Sequence, residues 1–168
     1  MAVNRGKQFE EKVKEDLMKI PGVSVDRLPD QMSGYKNTSS NISDFIVYKF
    51  PIEIYLEAKC CYGNTFNFSN LRQYDKLLSK NNIFGVNPCI VLWFIDHDEI
   101  IVFPINTIKY MKDNGRKSIN VKDYKQFDCV SIPSIKKRIF HDCDFNVMFD
   151  YFIKKDKEKI KEWLISHN

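Results

Sequence analysis

The first forty residues of the chain show one helical pattern and then lose periodicity. Apolar residues recur every three or four positions, as on one face of a helix, at Phe9, Val13, Leu17 and Ile20. This spacing predicts a helix over residues 4–20, ended by Pro21-Gly22. We expect a short strand over 23–27, and the Gly-, Asn- and Ser-rich residues 28–42 predict a mobile loop or an excursion from the fold.

Strict alternation of apolar and polar residues follows, which is typical of a half-buried strand. The apolar positions of this strand are Ile52, Ile54, Leu56 and Ala58. Residues 43–49 are expected to pair with it through a tight connection. With the turn centred between Phe50 and Pro51, residue 49 faces 52 and residue 48 faces 53, which places Asp44 directly opposite Glu57.

The remaining elements alternate between helices and strands. We predict a helix over 69–80 with Ser69 as its N-cap, buried strand 88–95, hairpin partner 99–103, helix 104–114, a short strand and loops over 115–143, and a Lys/Glu-rich helix over 147–166. This order predicts an α/β fold in which a mixed β-sheet is flanked by helices. No internal boundary or repeat is evident, so residues 1–168 are expected to form one domain.

Composition adds limited constraints. A net charge of +4 and an isoelectric point near 8.7 give a mild bias towards polyanions. The odd count of five cysteines argues against a complete disulfide framework, and there is no CxxC pair to suggest a zinc site. The first residues lack an apolar signal segment, and the chain has no apolar run of the ~18 residues that a membrane span requires. We therefore expect a cytoplasmic protein without membrane contact.

Three residues on the predicted hairpin form the candidate chemical centre. Glu57 and Lys59 are two positions apart and project from the same face of their strand, and Asp44 is expected opposite Glu57. Two facing carboxylates repel each other, and a divalent cation between them converts that repulsion into a binding site. Lys59 could then orient or deprotonate the attacking water, or stabilise charge on a phosphate. The alternative is a solvent-facing strand with an ordinary Glu–Lys pair.

Two further polar residues are candidates for the same site. Glu10 falls at the edge of the apolar stripe of the first helix, so its carboxylate could reach the sheet; the alternative is an ordinary helix-terminal glutamate. Gln73 lies at the edge of the second predicted helix and could bind a phosphate or hold the nucleophilic water. The alternative for Gln73 is a solvated side chain.

Taken together, these motifs resemble the RecU type of Holliday junction resolvase, a member of the PD-(D/E)XK nuclease superfamily, in a phage or Gram-positive version. The resemblance covers about residues 4–105. It consists of Asn4-Arg5-Gly6 followed by Phe9-Glu10, Ser43-Asp44 with twelve residues before Glu57-Ala58-Lys59, the segment Phe66 to Asn70, and a helix with Gln73.

The resemblance implies a restriction-endonuclease-like (PD-(D/E)XK) core, a homodimer, and Mg²⁺- or Mn²⁺-dependent paired nicks that resolve four-way DNA junctions. By position, Asp44, Glu57 and Glu10 would be the metal ligands, with Lys59 and Gln73 completing the catalytic set. Residues 28–42 would be a reduced form of the family's protruding stalk. The candidate DNA contacts are Tyr35, Lys36, Arg72 and Lys76.

Several alternatives remain open from the sequence. The same core occurs in restriction-like or repair nucleases that act on linear duplex, and the chain could also be a non-catalytic DNA-binding protein with a vestigial nuclease site. A scaffold protein, in which the acidic residues are surface features, is a further alternative. Residues 106–168 match nothing in the family, and the helix over 147–166 is interpreted as an amphipathic packing or dimer helix.

Overall fold

The structure is a computed structural model that describes residues 4–29 and 41–167. Its four helices in these ranges are α1 (Arg5–Met18), α2 (Tyr74–Leu78), α3 (Ile105–Asp113) and α4 (Asn146–Ser166). Its strands are β1 (Ser24–Arg27), β2 (Phe45–Lys49), β3 (Ile52–Cys61), β4 (Thr65–Asn67), β5 (Val86–Phe94), β6 (Glu99–Pro104), β7 (Ser118–Asn120), β8 (Val130–Ser131), β9 (Ser134–Lys136) and β10 (His141–Cys143).

The central sheet has six strands in the order β1-β2-β3-β5-β6-β8. β3 and β5 run parallel, and the other neighbouring pairs are antiparallel. A parallel pair requires a crossover connection, and the segment that contains β4 and α2 supplies it. The mixed sheet flanked by helices is as the sequence predicts. Two small sheets, β4 with β7 and β9 with β10, lie outside it.

The β2–β3 hairpin has the register that the sequence predicts. Lys49 pairs with Ile52, and Phe45 pairs with Leu56. The connection between the strands is short because Phe50 and Pro51 form the turn. Since side chains alternate between the two faces of a strand, this register determines which residues of β2 and β3 share a face.

Two apolar cores cover the two faces of the sheet. The first joins the sheet to α1 and α4, and the second joins it to α2, α3 and the β4–β7 pair. In β3, Leu56 and Ala58 belong to the first core, whereas Tyr55 and Cys61 pack against the second. By alternation, Glu57 and Lys59 project on the side of the second core.

The helix predicted over 4–20 is confirmed as α1, which begins after the N-cap Asn4; the Asn4 side chain accepts a hydrogen bond from the backbone N–H of Lys7 at 3.2 Å. The buried strand, its hairpin partner and the last two helices are also confirmed, as β5, β6, α3 and α4. No helix in the described ranges combines the length and the apolar character that crossing a membrane requires.

The prediction of a helix over 69–80 is wrong in its bounds. The helix is only α2, and Ser69 lies in a 3-10 turn over Phe68–Asn70 instead of capping it. The cause is a long-range contact: β4 pairs with β7, and the backbone N–H of Phe68 donates to the carbonyl of Lys117 at 2.9 Å. The pairing leads into the 3-10 turn, and Leu71 after it has a non-helical backbone (φ −96°, ψ 78°), so α2 begins only later. Residues 115–143 also contain more than one short strand, namely β7, β8, β9 and β10.

Candidate active site

Asp44 stands immediately before β2, and continuing the hairpin register by one residue places it opposite Glu57. One Asp44 carboxylate oxygen, Oδ2, accepts a hydrogen bond from the backbone N–H of Ala58 at 2.8 Å. Ser43 is buried, and its hydroxyl donates to the carbonyl of Phe45 at 2.9 Å. These bonds fix the chain on both sides of Asp44 and hold its carboxylate beside the Glu57-Ala58 segment.

Glu57 is fully buried, with 0% of its surface exposed. Lys59 Nζ donates to its Oε1 at 2.5 Å, and among the described residues its other oxygen, Oε2, has no hydrogen-bond partner. Burial and the facing Asp44 raise the pKa of Glu57 to about 7, against the lowering effect of Lys59. A buried carboxylate oxygen without a partner is rare in folded proteins. The site is therefore suited to take up a proton or a cation.

Glu10 also lies close enough to influence this pair, since its charge contributes to the raised pKa of Glu57. Its carboxylate Oε2 is 3.0 Å from Arg27 Nη2, and both side chains are partly exposed. Arg27 ends β1 and pairs with Phe45, so it lies next to Asp44 in the sheet. The sequence argument missed Arg27. The sequence feature that could have identified Arg27 is its position as a cation at the end of the strand expected over 23–27.

The carboxylates fit a hard divalent cation in part. In the ranges that the structure describes, no group of three or more His, Cys, Asp and Glu side chains is arranged to hold a metal ion by itself. Mg²⁺, however, is commonly held by one or two carboxylates with waters and substrate phosphates. Asp44 and Glu57 offer that donor set, with Oε2 of Glu57 still unsatisfied. Glu10, which pairs with Arg27, is a third carboxylate whose charge acts on Glu57.

Gln73 is the N-cap of α2, although its side chain makes no capping bond. Among the described residues its buried Oε1 also has no hydrogen-bond partner. The neighbouring Leu71, Tyr74 and Leu77 pack in the second core, so Gln73 lies on the same side of the sheet as Glu57. A buried amide oxygen of this kind is available to a ligand or a water.

The predicted DNA contacts are only partly visible. Arg72 is exposed beside Gln73, and Lys76 is half-buried in α2. Tyr35 and Lys36 lie outside the described residues. The hairpin places Asp44 opposite Glu57, and Lys59 contacts Glu57, whereas Glu10, Arg72, Gln73 and Lys76 lie on other segments of the chain.

The helix that carries Glu10 is anchored by an ion cluster around one buried aspartate, Asp16. Asp16 is 3% exposed and accepts hydrogen bonds from Lys12 and Lys19, each at 2.7 Å. It also accepts from the backbone N–H of Cys143 at 2.9 Å. Because Lys12 contacts Asp142 as well, the cluster connects α1 to β10. It therefore ties α1 to the small β9–β10 sheet.

Neither a protein-family model nor a curated protein matches the chain. Among solved structures, it is similar to the 1.6 Å resolution structure of Hjc, a Holliday junction resolvase from the archaeal hyperthermophile Archaeoglobus fulgidus. The TM-score is 0.53 at 17% sequence identity, over 73% of this chain and 93% of that chain. The likeness shows the fold, and the predicted restriction-endonuclease-like core is confirmed.

Proposed function

We propose that this chain is a metal-dependent DNA endonuclease that resolves Holliday junctions or other branched DNA by paired nicks. The observation that carries the proposal is the buried Glu57, whose unsatisfied oxygen lies beside Asp44 and whose other oxygen contacts Lys59. A fold does not gain stability from such an arrangement, because two carboxylates share a low-dielectric site. Perturbed, buried ionisable groups of this kind cluster at functional sites.

In this function, Asp44 and Glu57 hold Mg²⁺ or Mn²⁺, with Glu10 as a third acidic ligand. The bound metal supplies a polarised water and stabilises charge on the phosphate that is cut. The raised pKa of Glu57 makes its carboxylate a strong electrostatic partner for the cation once the proton is lost. Arg27 neutralises Glu10 in the metal-free protein.

Lys59 and Gln73 act on the nucleophile and the phosphate. Lys59 is 24% exposed at its side chain, so its ammonium reaches from Glu57 towards solvent, where the substrate arrives. There it orients the attacking water or stabilises the phosphate charge that develops. Gln73 presents a buried amide oxygen on the same side of the sheet and accepts a hydrogen bond from the attacking water.

The substrate assignment to four-way junctions has two supports. The Asn4-Arg5-Gly6 and Glu57-Ala58-Lys59 motifs resemble the RecU type of resolvase, and the fold is that of a solved Holliday junction resolvase. A homodimer would place two such sites on one branched substrate. The two-fold symmetry of such a dimer matches the paired strands of a four-way junction. Arg72 and Lys76, with Tyr35 and Lys36, would contact DNA in the cytoplasm of the cell, or of the host for a phage protein.

The test is nicking of a labelled four-way junction against linear duplex of equal length in Mg²⁺. The reaction is repeated in EDTA, with Asp44→Asn, and with the matched variant Asp26→Asn, which changes an exposed aspartate of β1. We expect symmetric junction cuts that EDTA and Asp44→Asn abolish and that Asp26→Asn leaves unchanged. Equal cutting of both substrates would instead favour a restriction-like nuclease. Tight binding without cutting would favour a DNA-binding protein with a vestigial site.

A further inference from the structure

Positive charge is concentrated in a short stretch of the chain after the candidate site. Residues 109–125 contain six cations and two anions, so this stretch carries a net charge equal to the +4 of the whole chain. The cations are Lys109, Lys112, Arg116, Lys117, Lys122 and Lys125, and the anions are Asp113 and Asp123. The other residues therefore balance to zero. A local excess of this kind points to a polyanionic partner for one surface.

The folded chain gathers part of this charge at a groove. The end of α3 and the turn that leads to β7 form one wall, and the end of β4 with the 3-10 turn after it forms the other. The groove has a volume of about 570 Å³ and is open to solvent. Its polar lining consists of Asn67, Ser69, Lys112, Arg116 and Lys117. Three cations, an amide and a hydroxyl are donors that suit phosphate oxygens.

Two of these cations are held in place by neighbouring side chains. The ammonium of Lys112 lies 3.7 Å from the ring centroid of Tyr74. The guanidinium of Arg116 stacks on Phe127 at 4.6 Å and donates to Asp123 at 2.8 Å. Lys117 is exposed at the rim of the groove. Cations pre-positioned on aromatic rings lose less side-chain freedom when they bind a ligand.

The groove lies on the same side of the sheet as the candidate active site. The ring of Tyr74, which the Lys112 ammonium contacts, packs against the second core. Tyr74 follows Gln73 directly in the chain. Glu57 and Lys59 project on the side of that same core. The β4 strand, which leads into the groove wall, begins four residues after β3 ends. Groove and site therefore share one side of the sheet.

We propose that this groove binds the phosphodiester backbone of a DNA duplex arm that leads away from the candidate active site. The inference rests on the proposed function and extends it, because it assigns a DNA contact to the part of the chain beyond residue 105. The contacts are made by Lys112, Arg116 and Lys117 to phosphates, with Asn67 and Ser69 on the facing wall. Binding through phosphates carries no base information, so it serves junction and linear DNA alike.

The experiment measures the dissociation constant for a four-way junction and for linear duplex over a range of salt concentrations, in EDTA so that no DNA is cut. The variant Lys112→Gln/Lys117→Gln is compared with Lys157→Gln/Lys161→Gln, which removes two exposed lysines from α4. Each lost phosphate contact lowers the slope of log K against log salt by about 1. We expect a decrease of about 2 for the groove variant, on both DNAs, and no change for the control.

A second variant, Ser69→Asp, places a negative charge on the facing wall, and we expect weaker binding to both DNAs with the same urea midpoint as the wild type. An unchanged slope and unchanged affinity in both groove variants would overturn the inference. Nicking of the junction in Mg²⁺ is measured in parallel. Wild-type protein that binds DNA without nicking it would overturn the proposed function, while a decreased slope would still support the groove. Nicking by the wild type together with an unchanged salt slope in the groove variant would overturn the proposed role of the groove and leave the proposed function standing.

Discussion

Asp44 Oδ2 lies 2.8 Å from the backbone nitrogen of Ala58, and this bond fixes the Asp44 carboxylate beside that of Glu57. The peptide N–H thus acts as a donor that aligns two like charges across two strands. Lys59 offsets part of their repulsion from the same face of β3. The repulsion between the two carboxylates lowers the free energy of unfolding of the metal-free protein. Unfolding experiments without metal can therefore measure it.

Replacing Glu57 by glutamine should stabilise the metal-free protein at pH 8. In the folded state the pKa of Glu57 is raised from 4.5 to about 7. The unfolded state therefore loses this proton first, and wild-type stability falls as pH rises from about 4.5 to about 7. Glu57→Gln, which is neutral at every pH, lacks that loss. We expect a gain of about 3 kcal/mol at pH 8 and little at pH 4.5, measured by urea unfolding in EDTA.

The control for this prediction is Glu15→Gln, which changes an exposed glutamate of α1. Its stability should track that of the wild type between pH 4.5 and pH 8. If Glu57→Gln showed the same pH dependence as the wild type, the raised pKa of Glu57 would be wrong. Nicking activity should be lost in Glu57→Gln in either case, because the carboxylate is a proposed metal ligand.

Divalent cations should stabilise the wild type and leave Asp44→Asn unaffected. A ligand that binds only the folded state raises the free energy of unfolding, by ~2.7 kcal/mol at one hundred times its dissociation constant. We therefore expect the melting temperature to rise with Mg²⁺ or Mn²⁺ and to fall back after EDTA. NaCl of matched ionic strength serves as the control. An equal rise in wild type and Asp44→Asn would place the cation elsewhere.

The hairpin that builds the candidate site was predictable because its information is local. Alternation in β3 and the Phe50-Pro51 turn determine the register, and the register alone brings Asp44 opposite Glu57. The start of α2 was not predictable, because the 3-10 turn before it follows a strand, β4, that pairs with β7 about fifty residues further along the chain. A contact between such distant segments overrides local propensity.

The Glu10–Arg27 pair and the basic groove show a second limit of sequence reasoning. The position of Glu10 at the edge of the α1 stripe indicates that it faces the sheet, yet the side chain it meets depends on how α1 packs on β1. Lys112 and Lys117 are ordinary surface lysines in the sequence. They line one groove with Ser69 only because β7 pairs with β4. The feature of the sequence that could have indicated this groove was the excess of positive charge within residues 109–125.

Replacing Lys59 by methionine should remove catalysis while preserving DNA binding. Methionine keeps the length of the side chain but offers no ammonium to the water or the phosphate. We expect the nicking rate to fall by about 10²–10⁴-fold, as for the loss of a general acid or base, with an unchanged dissociation constant in EDTA. Lys154→Met, on the exposed face of α4, is the matched control. A loss of less than tenfold, about 1.4 kcal/mol in barrier, would exclude Lys59 from the reaction.

Replacing Asp16 by alanine should destabilise the fold far more than the same change at its neighbour Glu15. Asp16 is buried and accepts from Lys12, Lys19 and the backbone N–H of Cys143. Its removal leaves the Cys143 N–H without its acceptor and the partly buried Lys12 with only Asp142 as a partner, whereas Lys19 is exposed to water. Leaving a buried polar group without its partner costs about 1–3 kcal/mol, whereas Glu15→Ala on the exposed face of α1 should change stability by less than ~0.5 kcal/mol. Urea unfolding with an unchanged m-value measures both. If the two variants were equally stable, the Asp16 cluster would not be what anchors α1, and with it Glu10, to the β10 edge.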